Sequence, residues 1–384
     1  MKIVVAMDKF KGCLTAPEAG DIVRRGLLAV QPDLRVLVKP MADGGDGTAA
    51  VLHASLGGEW IAVRVMGPLP ERPGRSRYLY IAPENLAVVE MAAASGLALL
   101  EPAQRNPLQT TTYGTGQLIA HAIRRGAKKI LLGLGGSATV DGGVGAAMAL
   151  GWKFLDAHGK PVGHGGAALE RIASIRPPQT RFPVIEVLCD VDNPLCGEHG
   201  AARVFGPQKG ATPAMVERLD AGLKHLADLV RTQLGTDIAH LPGTGTAGGL
   251  AAGAMAFLGA RLVPGVETVM RATGFRRAVR DADWVITGEG CFDEQSLRGK
   301  VVAGVAAQGR AAGARVAVIA GCVQLPEQLW RDAGISFVSP LQQPGMALAE
   351  AIARAPALLE TAARKFAATY LTSGGNTTKV GPWP

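Results

Sequence analysis

The chain has 384 residues, too many for one ordinary core, and is 48% hydrophobic with 51 glycines and 5% aromatics. Such a composition suits two α/β domains with many strand-to-helix turns and excludes a disordered chain. The 40 basic residues outnumber 32 acidic ones for a net charge of +8, yet they form no run or stripe, so an anionic small substrate is expected and nucleic acid is not. No apolar run could span a bilayer, and the five cysteines are scattered without paired metal spacing. A soluble, cytoplasmic protein with reduced thiols and no membrane partner is expected.

Residues 2–7 read as a buried strand rather than a signal peptide. Thr15-Ala16-Pro17-Glu18 is a capping box with proline in the first turn, and predicts a helix over residues 16 to about 30. Residues 35–39 form a second strand, and Met41 to Thr48 makes an acidic glycine loop before a helix through Leu56. Beyond Trp60 the texture changes to short strands, 61–66, 77–81 and 87–91, between Pro- and Gly-rich turns; these are expected to be antiparallel in a mixed sheet. Thr110 to Gly116 leads into a helix ending at Gly126, and residues 184–189 form a further buried strand. Thr212 with Pro213 starts a helix running to about Gln233, and Pro242 to Gly249 opens a small-residue helix ending near Leu258.

From Asp283 the opening texture returns: strand 284–286, a long loop 287–300, a helix, strand 316–319, a short strand 335–338, and two helices broken at Pro356. Residues 1–60 and 280–371 therefore read as one discontinuous, Rossmann- or flavodoxin-like α/β domain. Residues 61–279 read as an inserted mixed-sheet α/β domain, and 372–384 as a loose tail.

Ile130 to Gly143 is strand followed by a glycine loop, with a helix of small residues beginning at Val144. Glycines let backbone N–H groups approach an anion closely, and a following helix adds its own free N–H groups and positive dipole end. Gly133-x-Gly135-x-x-Ala138 also fits the dinucleotide fingerprint, with Asp156 at the spacing of the ribose-binding acid, which would make the protein a nicotinamide-dependent hydroxy-acid dehydrogenase. Against that, Asp141-Gly142-Gly143 would break the required helix, since interior glycines cost roughly 1 kcal/mol each. The 133–143 stretch is read as one loop, and no Walker pattern occurs in the chain.

Five loops, at 8–12, 43–48, 133–143, 190–197 and 287–300, follow strands and carry Asp or Glu beside Gly. Strand carboxyl ends open onto one crevice in such sheets, so these acids are expected to meet, with Lys9, Lys11, Lys209 and Lys300 as counter-charges. Carboxylates for Mg²⁺, lysines for phosphate and glycines for backbone contact are parts of a phosphoryl-transfer site. A lone Asp such as Asp46 or Asp293 caps a helix as readily, and Gln208-Lys209 can be a plain turn. Asp190-Val191-Asp192-Asn193-Pro194 puts two acids and an amide at a strand end, a set able to hold a metal or a substrate hydroxyl.

Together these stretches resemble the bacterial glycerate kinase family over nearly the whole chain. The resemblance rests on Asp8-x-Phe10-Lys11-Gly12, Met41-Ala-Asp43-Gly-Gly-x-Gly-Thr48, the 133–143 loop, Asp190-Val-Asp-Asn-Pro-Leu195, Phe205-Gly-Pro-Gln-Lys-Gly210 and Thr287-Gly-Glu-Gly290-x-x-Asp293-x-Gln295-x-x-x-Gly299-Lys300. Six motifs in family order are far more specific than any one. The chain departs from the family pattern at Lys9, Asp46, Val140, Thr244 and Thr246. The resemblance implies two α/β domains with the active site in the interdomain cleft, transfer of the ATP γ-phosphoryl group to D-glycerate to give 2-phosphoglycerate, and Mg²⁺ as cofactor.

On that footing Asp190 or Asp192 is expected to deprotonate the hydroxyl, and the other, with Asp43 or Glu289, to hold Mg²⁺. Lys11 and Lys300 would neutralise the moving phosphoryl group. Gly135, Gly136, Ser137 and Thr139, with Gly288, Glu289 and Gly290, would bind the nucleotide phosphates. Asp8, Lys9, Asn193, Gln295 and Arg298 would face the substrate, with Arg298 or Lys9 pairing with its carboxylate. The oligomeric state, a homodimer included, stays open.

Overall fold

A computed structural model describes residues 1–371; the segment 372–384, expected to be a loose tail, lies outside the described residues. In chain order the strands are β1 (Lys2–Met7), β2 (Arg35–Val38), β3 (Glu59–Met66), β4 (Pro73–Ile81), β5 (Leu86–Glu90), β6 (Lys129–Gly133), β7 (Lys153–Leu155) and β8 (Ser174–Arg176). They continue with β9 (Val184–Leu188), β10 (Arg261–Val263), β11 (Trp284–Gly288), β12 (Cys291–Phe292), β13 (Arg315–Ala320), β14 (Cys322–Val323) and β15 (Phe337–Pro340). The chain divides into two units. The first comprises Met1–Ala42, Ala50–Leu56 and the chain from Val269 onward; the second comprises Asp43–Ala49 and Gly57–Thr268.

In the first unit the sheet order is β15-β13-β11-β1-β2, and every pairing is parallel. Counted within the unit this is the doubly wound order 2-1-3-4-5 of flavodoxin-like sheets. Such strands are covered on both faces, which is why β1 and β13 read as unbroken apolar runs. Ile3, Val5, Met7, Ala317 and Ile319 share one core with the helices Ala16–Leu28 and Ala355–Tyr370. Val316, Val318 and Ala320 point the other way, into a core with Val302, Ala306 and Trp330. Gly26 lets the first and last helices touch, since a Cβ there would stand 2.7 Å from the Ala363 Cβ. The capping box is as the sequence indicates: the Glu18 N–H donates to Thr15 Oγ1, and the Thr15 N–H to Glu18 Oε2 at 2.9 Å. Pro356 sits in the first turn of the last helix, so the break falls just before it, at Arg354.

In the second unit six strands run in the order β10-β9-β6-β5-β4-β3. β3, β4 and β5 pair antiparallel and the rest parallel, the mixed sheet that the change of texture after Trp60 indicates. Its core joins Val89, Ile130, Leu132 and Val187 to the helix Pro213–Leu234, capped by Thr212 as expected, through Leu219, Leu223 and Leu226. Small residues in the helices Tyr113–Arg124 and Val144–Ala149 allow backbone contact: a Cβ on Gly116 would stand 2.3 Å from the Ala146 carbonyl oxygen.

Candidate active site

In a 2-1-3-4-5 sheet the order reverses between the first and third strands, and ligands bind outside the carboxyl ends there. In the first unit those strands are β1 and β11, paired in register from Ile3 with Trp284 to Met7 with Gly288. Their loops are 8–12 and 287–300, so topology alone brings two of the expected acidic loops side by side. The Asp8 N–H donates to the Gly288 carbonyl at 2.8 Å, and a Cβ on Gly290 would lie 3.4 Å from the Lys11 nitrogen.

Glu289 is the central group of this cluster. Its Oε1 is buried with no partner among the described residues. Burial pushes its carboxyl up to about 7; Asp8 and Asp293 push the same way, while a hydrogen bond from Ser296 and the charge of Lys300 oppose them. Asp293 instead caps the turn after it, accepting from the Gln295 N–H at 2.9 Å and the Ser296 N–H at 3.2 Å. Lys300 donates to Gln295 Oε1 at 3.0 Å and begins the helix Val301–Ala311, whose free N–H groups lie at that end. Arg298 is exposed and 3.9 Å from Glu294, and Lys11 is exposed. Lys9 is half-buried and its N–H donates to Asp8 Oδ1. Gly288 is required by packing, because a Cβ there would stand 1.8 Å from the Ile319 carbonyl oxygen.

In the second unit the 133–143 loop is non-helical throughout, and the helix begins at Val144. Its carbonyls turn inward. Gly133 accepts from Met91 N, Gly136 from Leu97 N, Ala138 from Thr110 Oγ1 and Thr139 from Lys209 Nζ. The N–H groups of Gly135, Gly136 and Ser137 donate to nothing among the described residues, and Gly136 is exposed. Three successive amides without acceptors, beside carbonyls of Gly133, Gly136, Ala138 and Thr139 that are engaged, have the makings of an anion-binding turn. Gly135 must be glycine, since a Cβ would stand 2.7 Å from Gly45 Cα. Thr139, expected to contact phosphate, is fully buried.

The same segment, Asp43 to Gly45, reaches the end of β9. A Cβ on Gly44 would meet Leu188, and one on Gly265 would lie 2.3 Å from the Asp43 carbonyl oxygen and 2.8 Å from Asp190 Oδ2. Asp190 is held at both oxygens, Oδ1 by Gly265 N–H at 2.9 Å and Oδ2 by Val266 N–H at 3.0 Å. Burial raises its carboxyl to about 6, the two N–H bonds hold it down, and Asp43 adds to the rise. Asp192 is exposed, and Asn193 Nδ2 donates to the His199 carbonyl at 2.9 Å. Gly265 and Val266, which orient Asp190, were not among the expected residues. Lys209, expected as a counter-charge or as part of a plain turn, has its ammonium buried under the loop. Nothing supports the dinucleotide reading: Asp156 lies in an exposed turn, its Oδ1 accepting from the N–H groups of His158 and Lys160 at 2.9 Å.

In the second unit a glycine turn with free amides lies beside an oriented carboxylate, and in the first a lysine-and-glutamate cluster lies at a sheet switch point; these are the parts used by phosphoryl-transferring enzymes of small molecules. The glycerate kinase family model matches residues 3–371. A glycerate kinase of Halalkalibacterium halodurans is 45% identical over 369 residues, covering 95% of this chain and 97% of that one. The glycerate 2-kinase of Escherichia coli K12 is 44% identical over 310 residues, 80% of this chain and 81% of its own. A crystal structure from Salmonella typhimurium LT2, assigned as a glycerate kinase 2, superposes with a TM-score of 0.84 at 42% identity, covering 96% of this chain and 98% of that one. The chain belongs to the glycerate kinase family, kinases that transfer a phosphoryl group to glycerate. No helix among the described residues is long and apolar enough to cross a membrane.

Proposed function

We propose that the protein transfers the γ-phosphoryl group of ATP to the 2-hydroxyl of D-glycerate in the cytoplasm, with Asp190 as the general base. The supporting observation is the hold on Asp190: two backbone N–H groups fix both oxygens while burial keeps its proton affinity near 6. A base of that strength is ionised at neutral pH yet accepts a proton as the hydroxyl attacks. The free amides of Gly135, Gly136 and Ser137 take an anionic group, either phosphate or the glycerate carboxylate. Lys300, with the helix it starts, and Lys11 neutralise the phosphoryl group in transit. The exposure of Asp192 and the pairing of Arg298 with Glu294 leave these two without an assigned role.

The carboxylates fit a divalent cation. Glu289 carries a buried oxygen with no partner, facing the field of Asp8 and Asp293. No three His, Cys, Asp or Glu side chains among the described residues form a ready cage, and Mg²⁺ needs only one or two carboxylates beside substrate phosphates. Glu289 with Asp8 would hold Mg²⁺, which when bound would neutralise charge on the nucleotide phosphates.

The purified protein with MgATP and D-glycerate should release ADP, with little release when L-glycerate replaces it or when no acceptor is present. Phosphorus NMR of the product should show a 2-phosphate. Absence of D-glycerate-dependent release would refute the proposal, and a 3-phosphate would refute its regiochemistry.

A further inference from the structure

Beneath the three free amides lies a buried polar knot that the reaction above leaves unused. Lys209, in the short turn Pro207–Lys209, is 2% exposed, and its Nζ donates to the Thr139 carbonyl at 2.7 Å. Asp141, 1% exposed, accepts from Thr112 N–H at 2.8 Å, Thr112 Oγ1 at 2.9 Å and Gly143 N–H at 3.2 Å. Asp141 is the charged group that acts on Lys209. The Thr139 hydroxyl has no partner among the described residues, and a Cβ on Gly248 would stand 1.9 Å from the Thr139 carbonyl oxygen.

Burying an ammonium beside a carboxylate is a poor way to stabilise a fold, because apolar residues of the same volume often do as well or better. What such a pair does well is fix one arrangement among several. The loop on top is rich in glycine, with Gly136, Gly142 and Gly143 all at positive φ, so its peptide planes have alternatives that a stiffer segment lacks. A carbonyl gripped from below removes those alternatives.

We propose that Lys209 is a positioning residue: by holding the Thr139 carbonyl inward, it keeps the amides of Gly135, Gly136 and Ser137 available to an anion. This rests on the reading of that loop as an anion-binding turn. Burial lowers the Lys209 ammonium to about 7, and the charge of Asp141 opposes the fall.

The variants K209M, K209R and D141N/K209M test it, with V230A as a control that loosens the same unit at a buried apolar site. The double variant carries no buried charge, so its Tm should return close to that of the wild type. Its KM for one of the two substrates, D-glycerate or MgATP, should nevertheless rise about tenfold or more, with the other within about twofold. K209R, which keeps a positive charge, should recover part of that KM. The inference is overturned if the double variant has wild-type KM values, if kcat alone falls, or if V230A shows the same KM change. A wild-type protein without glycerate-dependent ADP release would instead remove the proposed reaction, whereas an active wild type with indifferent Lys209 variants removes only this role.

Discussion

Asp190 stands at the carboxyl end of β9, where burial and Asp43 penalise its charge and the N–H groups of Gly265 and Val266 favour it. The balance leaves its carboxyl raised, so between about pH 4 and 6 the folded protein binds a proton that the unfolded chain has released. Stability from this group is therefore full at low pH and is lost as pH rises through 6. D190N carries no titrating carboxyl, so its stability relative to the wild type should rise by on the order of 1–3 kcal/mol between pH 4 and pH 8, read from urea unfolding at the two pH values. The same variant should lower kcat by about 10²-fold or more if Asp190 is the base, and near wild-type turnover would end that assignment. The sequence marks Asp190 and Asp192 equally, because what separates them comes from Gly265 and Val266, some 75 residues further on. Lys209 was legible only as a counter-charge or a plain turn, and its burial was not, for a like reason: a lysine in a Gly-Pro-Gln-Lys-Gly turn looks solvated until the loop above it is in place. Asp293, by contrast, shows its capping role in the three residues that follow it.

Local chemistry made the helix starts readable and left the short strands hidden. Thr15 and Thr212 announce their helices because every partner lies within three residues, and T15A should cost about 1 kcal/mol by removing the hydroxyl that accepts from the Glu18 N–H, read as a lowered urea midpoint with unchanged slope. The three-residue strands β7, β8 and β10 carry no comparable signal, since pairing with distant segments alone defines them. The 133–143 loop was legible as a loop because Gly142 and Gly143 forbid the early helix that a dinucleotide fingerprint needs. Its stiffness was not legible, for it comes from Lys209, Thr110 and Gly248. G248A joins a positive φ of 67° to a Cβ 1.9 Å from the Thr139 carbonyl oxygen, and should destabilise the fold by roughly 2–4 kcal/mol. A Tm unchanged in that variant would show the loop to be more yielding than its contacts indicate.

At the scale of the whole molecule, the parallel sheet of the first unit is assembled from strands far apart in the chain. β1 lies between β2, which follows it closely, and β11, with which it pairs from Ile3 to Met7. Ile3, Val4, Val5, Ala6 and Met7 are all completely buried in the finished fold. The apolar texture of β1 and β11 is plain in the sequence, but that they are neighbours is not, because no local signal records a pairing across some 280 residues. A ribosome adding 5–20 residues each second leaves β1 without that neighbour for roughly 15–55 s. Its five core side chains must meanwhile be shielded by chaperones or by makeshift contacts. Nascent chains arrested before residue 284 should therefore be cut by added protease within residues 1–42, and chains arrested well past residue 340 should resist it. β1 is made long before β11 and is among the last elements of this enzyme to find its place.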